Sequence, residues 1–372
     1  MIKVLIIGYA NKYFRTEYVK NIKDNEVNFD ILTFEKCKQE NIKLYKKIYE
    51  CEKFINLPKL SSISIYLKFL YIILKIEKYD VIHIHSLKPI EVFFSYILKL
   101  KSRKLISTIY GSDFYRVSNR DKNKMRKLFN RSDAITIASK KTIQDFNDYY
   151  NNQFSNKIHL IPFGNSMYNI IDSYSSITTE KINKIKNEFN VPKNTFVITV
   201  GYNATKEQNH EKILKKIKKI ESNLPKNYFL ILPFGYGDNI YKNKIISIFN
   251  SYKLNGICLC EYLTIAEAAK LRVISDVMIQ LQDTDVLSNS MLEYIYSNNI
   301  IITGSWLPYD EISKYIIQID SIEDLDYQMI NIIENFSDYK EKAKKSDRKK
   351  YIQGHYSWYA VRPKWKALYK KF

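Results

Sequence analysis

Two carboxylates, Asp285 and Glu293, stand in DTDVLSNSMLEYIYSNNIIITGSW with seven residues between them. The preceding VISDVMIQLQ (273–282) reads as a buried strand, and SNSMLEYIYSN (288–298) has the apolar spacing of a helix docked on one face. Asp285 is then in the connecting loop and Glu293 roughly one turn into the helix. Ser288, Asn289 and Ser290 place small side chains and free backbone N–H groups at the helix start, where the peptide dipole favours a bound phosphate. A carboxylate one turn further on can accept hydrogen bonds from sugar hydroxyls. A loop aspartate followed by a solvated helical glutamate explains the same spacing without any ligand, so the rest of the chain has to decide.

The elements that would hold this site recur along the sequence. In the first half KVLIIG (3–8), NFDILTF (28–34), YDVIHIH (79–85), KLISTIY (104–110), AITIAS (134–139) and KIHLIPFG (157–164) read as buried strands. KYFRTEYVKNI, the segments 59–79 and 91–104, and KTIQDFNDYY supply helices between them. Strands alternating with helices predict parallel sheets built from crossover units. FVITVGYN (196–203), YFLILPFGYG (228–237), GICLCEY (256–262), VISDVMIQLQ and NIIITGSW (299–306) repeat the pattern, with EKILKKIKKIES, NIYKNKIISIFNSY and TIAEAAKLRV as helices. Polar, unpatterned NSMYNIIDSYSSITTE (165–180) breaks the rhythm and reads as a linker.

A chain of 372 residues with 45% apolar content exceeds one hydrophobic core. The expectation is an α/β protein of two Rossmann-like domains: residues 1–165, a linker over 166–185, a second domain over 186–350, and a closing segment over 351–372. MIKVLIIGYA has an apolar core of only VLII and ends in a strand-to-loop turn, so it reads as the first buried strand and not as a signal segment. No uninterrupted run of about 18 apolar residues occurs, which predicts no spanning helix and a cytoplasmic placement. Four cysteines, Cys37, Cys51, Cys258 and Cys260, do not make a disulfide framework. Cys258 and Cys260 fall on one face of a strand, which predicts core packing in preference to metal ligation.

Formal net charge is +20. Residues 1–165 hold 30 Lys/Arg against 16 Asp/Glu, a net of +14, and the remainder 29 against 23, a net of +6. Abundant Ile, Lys, Asn and Tyr make composition bias one explanation. KLSSISIYLKFLYIILKIEKY (59–79) and EVFFSYILKLKSRK (91–104) mix aromatics and aliphatics with lysines, the pattern of helices that touch an anionic membrane from its inner face. Core-facing helices with solvated lysines fit them equally. The charge is spread and no nucleic-acid module is present, so nucleic acid is not an expected partner.

The acidic pair with its helix start resembles that of retaining glycosyltransferases of family 4 (group 1), in which two glutamates flank seven residues and the helix N-terminus receives a diphosphate. Here Asp285 takes the first position and VLSNSML fills the interval. Two Rossmann-like domains joined by a linker are similar to the GT-B architecture of those enzymes, whose domains face across a cleft. YDVIHIHSL (79–87) resembles their strand ending in a histidine at the cleft, which implies a sugar or acceptor contact for His85; simple alternation of His83 and His85 along a strand remains open. TIYGSDFYR (108–116) resembles a helix-leading Gly-Ser-Asp loop, which implies acceptor contact by Asp113 and Arg116, with helix capping as the alternative.

VGYNATKEQNHEKIL (200–214) resembles the first strand, turn and helix of the donor domain. That places Gly201 and Asn203 against the donor and makes Lys206 the diphosphate partner, with Tyr202 where relatives carry Arg. Gly235 and Gly237 in LPFGYGDNIY (232–241) suit a nucleoside-binding turn. These two segments also resemble the lipid-linked 4-acetamido-4,6-dideoxygalactose (Fuc4NAc) transferases. YSWYAVRPKWKALYKKF (356–372) is similar to the terminal helix that crosses back onto the first domain, with Trp358 as a packing anchor.

The resemblance implies a nucleotide-sugar-dependent glycosyltransferase of hexosyltransferase type. It would move a sugar from a nucleoside diphosphate sugar to a glycan or lipid-linked acceptor in cell-surface polysaccharide biosynthesis, with retention. Asp285, His85 and Asp113 would serve the sugar and acceptor; Lys206, Gly201, Asn203, Gly235, Ser288, Asn289, Ser290 and Glu293 would hold the donor. No acidic motif typical of a metal-bridged diphosphate stands out, so neither metal nor other cofactor is expected. A catalytically silent GT-B-like binding protein and a sugar-nucleotide epimerase are the alternatives. Glu293→Gln is expected to weaken donor binding at little cost to the fold.

Overall fold

The computed structural model describes residues 1–52, 58–85, 87–174 and 178–370, with backbone alone over 58–62. The chain divides into two compact units, residues 1–165 with 356–372, and residues 166–355. In the first unit β1 (Ile2–Ile7), β2 (Val27–Thr33), β3 (Ile48–Glu50), β4 (Tyr79–His85), β5 (Ser102–Ile109), β6 (Ala134–Ile137) and β7 (Ile158–Leu160) form a parallel sheet in the order β3-β2-β1-β4-β5-β6-β7. Val4 through Ile7 are wholly buried, as a strand covered by helices on both faces requires. The order reverses between β1 and β4, held in register by Val4 opposite Val81. Ligands of open α/β sheets bind beyond the carboxyl ends of strands at such a reversal.

The second unit repeats the plan with β8 (Phe196–Val200), β9 (Tyr228–Pro233), β10 (Gly256–Leu259), β11 (Val277–Gln280), β12 (Ile300–Gly304) and β13 (Ile317–Ile319) in the order β10-β9-β8-β11-β12-β13. Its reversal lies between β8 and β11, where Val277 pairs with Ile198. Gly201 follows β8 and Asp285 follows β11, so the topology alone brings the two predicted segments to one end of one sheet.

The closing helix Trp358–Lys370 belongs to the first unit. Trp365 and Tyr369 are fully buried. The Trp365 indole donates to Pro162 O at 3.1 Å, and Lys104 Nζ donates to Leu368 O at 2.6 Å. Trp358 packs so closely on Gly164 that a Cβ there would stand 2.4 Å from the indole ring.

All eleven expected strands are present, and the departures from expectation have local causes. Residues 273 and 274 end a helix instead of starting a strand, because a capping box at Thr264 and Glu267 starts a helix that runs from Ile265 to Ile274. β3 and β13 are three-residue edge strands, too short to carry a periodic signal. The helix Asn119–Arg131 is mostly polar and buries only Met125, Leu128 and Phe129. The segment expected as a linker is folded into the second unit: Met167–Asp172 and Thr179–Glu188 are helices, the latter capped by Thr178 Oγ1. Linker residues 175–177 lie outside the described residues. Cys260 is exposed just past the edge strand β10 and is not a core residue; Cys258 is part-buried, with its thiol pushed up to about 12 by burial.

Candidate functional site

Several loops meet at the carboxyl end of the second sheet. After β8 the chain turns at Gly201, whose φ of +65° lies in the left-handed region. A Cβ there would stand 2.7 Å from His210 Nε2 and 2.8 Å from Gln208 Oε1, so both backbone and packing demand glycine. Asn203 is buried and its Oδ1 accepts from Thr205 N at 3.0 Å, which makes it a turn former. Lys206 is exposed at the next turn, and among the described residues no carboxylate pairs with it.

The loop after β9 is tied to this one: Ala204 N donates to Tyr236 O and Asp238 N donates to Ala204 O, both at 2.8 Å. A Cβ on Gly237 would meet Ala204 O at 2.3 Å, and one on Gly235 would meet Glu261 O at 2.6 Å. The glycines expected to face a nucleoside are therefore required by backbone-to-backbone approach. Gly235 is a packing residue here, and the G-x-G spacing follows from loop contact.

At the end of β11 Gln280, and two residues on Gln282, form a polar row at the reversal. Gln280 Nε2 donates to Tyr309 OH at 2.6 Å and to Asp285 Oδ2 at 3.0 Å, and the Tyr309 hydroxyl donates to the same carboxylate oxygen. Val286 N donates to Asp285 Oδ1 at 2.8 Å. Burial raises the Asp285 pKa against the lowering effect of these donors. Gln282 Oε1 accepts from Gln208 Nε2 at 2.7 Å. Gln280 Oε1 and Gln282 Nε2 are buried without a hydrogen-bond partner among the described residues, an arrangement that a polar ligand or water completes. Leu287, though nearly buried, is held at φ +37°, a left-handed conformation costly for a branched side chain.

The helix Asn289–Tyr296 then begins, with Ser288 Oγ accepting from Met291 N at 3.3 Å as its cap. Ser288, Asn289 and Ser290 are part-exposed at its start, as expected. Glu293 is not a free carboxylate on a helix surface. It is 5% exposed, and its Oε2 accepts from Arg272 Nη2 at 3.0 Å and Nε at 3.2 Å. Arg272 also donates to Ser290 Oγ at 3.1 Å and lies 4.5 Å from the centre of the Tyr294 ring. Arg272 thus reaches the helix start from the last turn of the helix before β11. In sequence it is one arginine in the last turn of a helix, and nothing marks it.

In the first unit, His85 ends β4 at the other sheet reversal, yet it is wholly buried. Its Nδ1 is 2.9 Å from Tyr110 OH and its Nε2 is 3.1 Å from His83 Nδ1, while His83 also meets Thr108 Oγ1 at 2.6 Å and Tyr369 OH at 2.7 Å. Burial holds both imidazoles well below their usual pKa. His85 is therefore a neutral member of a closed network. Asp113 is also buried: Oδ1 accepts from Tyr110 N and Gly111 N at 2.9 Å each, and Oδ2 from Leu87 N at 3.1 Å. Burial pushes its pKa up to about 6, and the carboxylate clamps two loops where an acceptor contact was expected. Among the described residues no group of three or more His, Cys, Asp or Glu is arranged to hold a metal ion.

Residues 3–139 match the family model described as glycosyl transferase 4-like. Along nearly its whole length the chain is 23% identical to an uncharacterized glycosyltransferase of Methanocaldococcus jannaschii, over 95% of this chain and 93% of the relative. A glycosyltransferase of Rickettsia africae superposes with a TM-score of 0.76 at 15% identity, covering 100% of this chain and 98% of the other. HepE of Anabaena, solved in complex with UDP and glucose, superposes with a TM-score of 0.75 at 12% identity over 100% of both chains. A matching family model over the first unit, a relative of that class along the chain and a shared architecture throughout make this protein a glycosyltransferase of GT-B fold.

Proposed function

We propose that the protein transfers a sugar from a nucleoside diphosphate sugar, with UDP as the nucleotide to test first, to a glycan or lipid-linked acceptor of cell-surface polysaccharide synthesis. The observation that carries this reading is the convergence of the Ser288–Ser290 helix start with the Arg272 guanidinium, 3.1 Å from Ser290 Oγ. Backbone N–H groups, the helix dipole and a fixed cation meet there, which suits the charge that develops on a departing diphosphate. Exposed Lys206 adds a mobile cation. Tyr309 and Gln280 hold Asp285 toward the sugar, and the Arg272–Glu293 pair sets the helix that presents the amides. In the transfer the anomeric C–O bond breaks with its electrons leaving on the diphosphate, while the acceptor hydroxyl oxygen forms the new bond to the anomeric carbon and its proton passes to the departing diphosphate. Retention follows from the family 4 resemblance, and a lipid-linked acceptor from the likeness of segments 200–214 and 232–241 to Fuc4NAc transferases.

The acceptor reading also draws on an exposed apolar face of the first unit. Ile63, Leu67, Tyr71 and Leu74 line the helix Pro58–Lys75 at 56–57% exposure, and Phe93, Tyr96 and Leu100 lie on the neighbouring helices, with Tyr66 and Phe93 rings 5.7 Å apart. Exposed Lys75, Lys78 and Arg103 flank the face. No described helix is long and apolar enough to cross a membrane. An anionic bilayer surface, bound peripherally, suits an apolar strip with a cationic rim.

A thermal-shift screen against UDP, GDP, TDP, CMP and their sugars tests the donor: stabilisation by one nucleoside diphosphate is expected. Product analysis with the bound sugar nucleotide then separates transfer from epimerisation. No response to any nucleotide, with acceptor lipid present, overturns the transferase reading in favour of a silent binding protein.

A further inference from the structure

The first unit contains a buried cation that no carboxylate among the described residues neutralises. Arg15, on the helix Tyr13–Ile22, is 4% exposed, and among the described residues its buried Nε and Nη1 have no hydrogen-bond partner. Among the described residues no carboxylate forms an ion pair with it. The ionisable groups that feel its charge are Tyr18, Tyr45, His83, His85, Tyr110 and Tyr369. All six are neutral near pH 7, since burial holds the phenols protonated and the imidazoles unprotonated. An uncompensated guanidinium inside a protein opposes folding, and natural buried arginines are ordinarily paired.

Its position is as informative as its isolation. Gly8, immediately after β1, leaves room for the guanidinium: a Cβ there would stand 2.6 Å from Arg15 Nη2. His85 ends β4, the strand beside β1. Arg15 therefore sits at the reversal of the first sheet, the place where open α/β sheets take ligands. We propose that Arg15, seated on Gly8, is an oxyanion-binding site of the first unit, which takes a phosphate or carboxylate group carried by the acceptor. The guanidinium fork supplies parallel N–H donors to such a group, and the surrounding hydroxyls of Tyr18, Tyr110 and Tyr369 are neutral and do not compete for it. Assigning the anion to the acceptor rests on the transferase reading; the anion site itself does not.

The experiment titrates inorganic phosphate, and separately glucuronate, into full-length protein saturated with UDP, reading thermal shift and calorimetric heat for wild type, Arg15→Met, Arg15→Lys and Gly8→Ala. Stabilisation of the wild type by one anion is expected, weakened about tenfold or more in Arg15→Met and partly kept in Arg15→Lys. The responding anion tells a phosphate-bearing acceptor from an acidic sugar. The ligand-free midpoint of Arg15→Met is expected to stay level or rise, because an unpaired buried charge has been removed; a purely structural arginine predicts a fall. Gly8→Ala keeps the charge but displaces the guanidinium, so it weakens the anion response even if Arg15→Met does not fold. No anion response in the wild type, or a response that none of these variants changes, overturns the proposal. The UDP shift is read independently in the same titrations, so failure of the donor reading is seen separately.

Discussion

Arg272 and Glu293 form a buried ion pair beneath the helix that follows β11, with Oε2 accepting from both Nη2 at 3.0 Å and Nε at 3.2 Å. Removing one partner leaves the other charge buried and alone. Glu293→Gln is therefore expected to lower unfolding free energy by about 3–5 kcal/mol, contrary to the stability-neutral effect its sequence position suggests. Replacing both residues by methionine recovers much of that stability while UDP affinity stays low. Urea unfolding with UDP titration of the wild type and both variants checks this; a Glu293→Gln protein as stable as wild type rejects the structural role.

Lys206 makes the opposite prediction. It is exposed and unpaired among the described residues, so Lys206→Met leaves the urea midpoint unchanged. UDP affinity falls about tenfold, or ~1.4 kcal/mol, if the ammonium meets the diphosphate. Equal UDP binding by calorimetry removes Lys206 from the donor site.

Two glycines give a matched pair. Gly201→Ala forces a Cβ into a left-handed turn against His210 and Gln208 and is expected to destabilise by about 1–3 kcal/mol. Gly354 lies in the helix Arg348–Tyr356 with nothing near its missing Cβ, so Gly354→Ala stabilises by about 0.5–1 kcal/mol. Chemical denaturation of both reads the difference in sign.

Glu91 sets a pH dependence. It is wholly buried, its Oε1 has no partner among the described residues, and burial pushes its pKa up to about 8 from an ordinary value near 4.5. The folded protein then binds more protons than the unfolded chain between those values, so the group's stabilisation, complete below about pH 4.5, is lost as pH rises to about 8. Buried His83, His85 and His210, with lowered pKa values, act in the opposite sense and only below about pH 6.5. Between pH 6.5 and 8 these histidines no longer act, and the Glu91 contribution is on the order of 1–2 kcal/mol. Glu91→Gln is expected to flatten stability across that window; an unchanged slope assigns it elsewhere.

The exposed apolar face predicts lipid selectivity. Leu67 and Phe93 are 57% and 72% exposed, so Leu67→Asp with Phe93→Asp leaves folding intact and abolishes flotation with anionic vesicles. Equal binding of wild type to neutral and anionic vesicles rejects the membrane reading.

The sequence by itself determined the two α/β units, their eleven principal strands and the loop–helix that carries Asp285, Ser288 and Glu293, because continuous apolar runs and helical spacing are local signals. Edge strands β3 and β13 and the polar helix Asn119–Arg131 bury too little to leave such a signal. Only the tertiary structure decided which polar groups are free. Arg272 reaches Glu293 and Ser290 from another helix, and Tyr309 reaches Asp285 from beyond β12. His85 and Asp113, exposed in a linear reading, are enclosed by partners far along the chain. Gly235 and Gly237 proved to serve loop packing. Burial and partnership depend on which strands become neighbours, and that depends on long-range order in the sheet, which residue spacing does not encode.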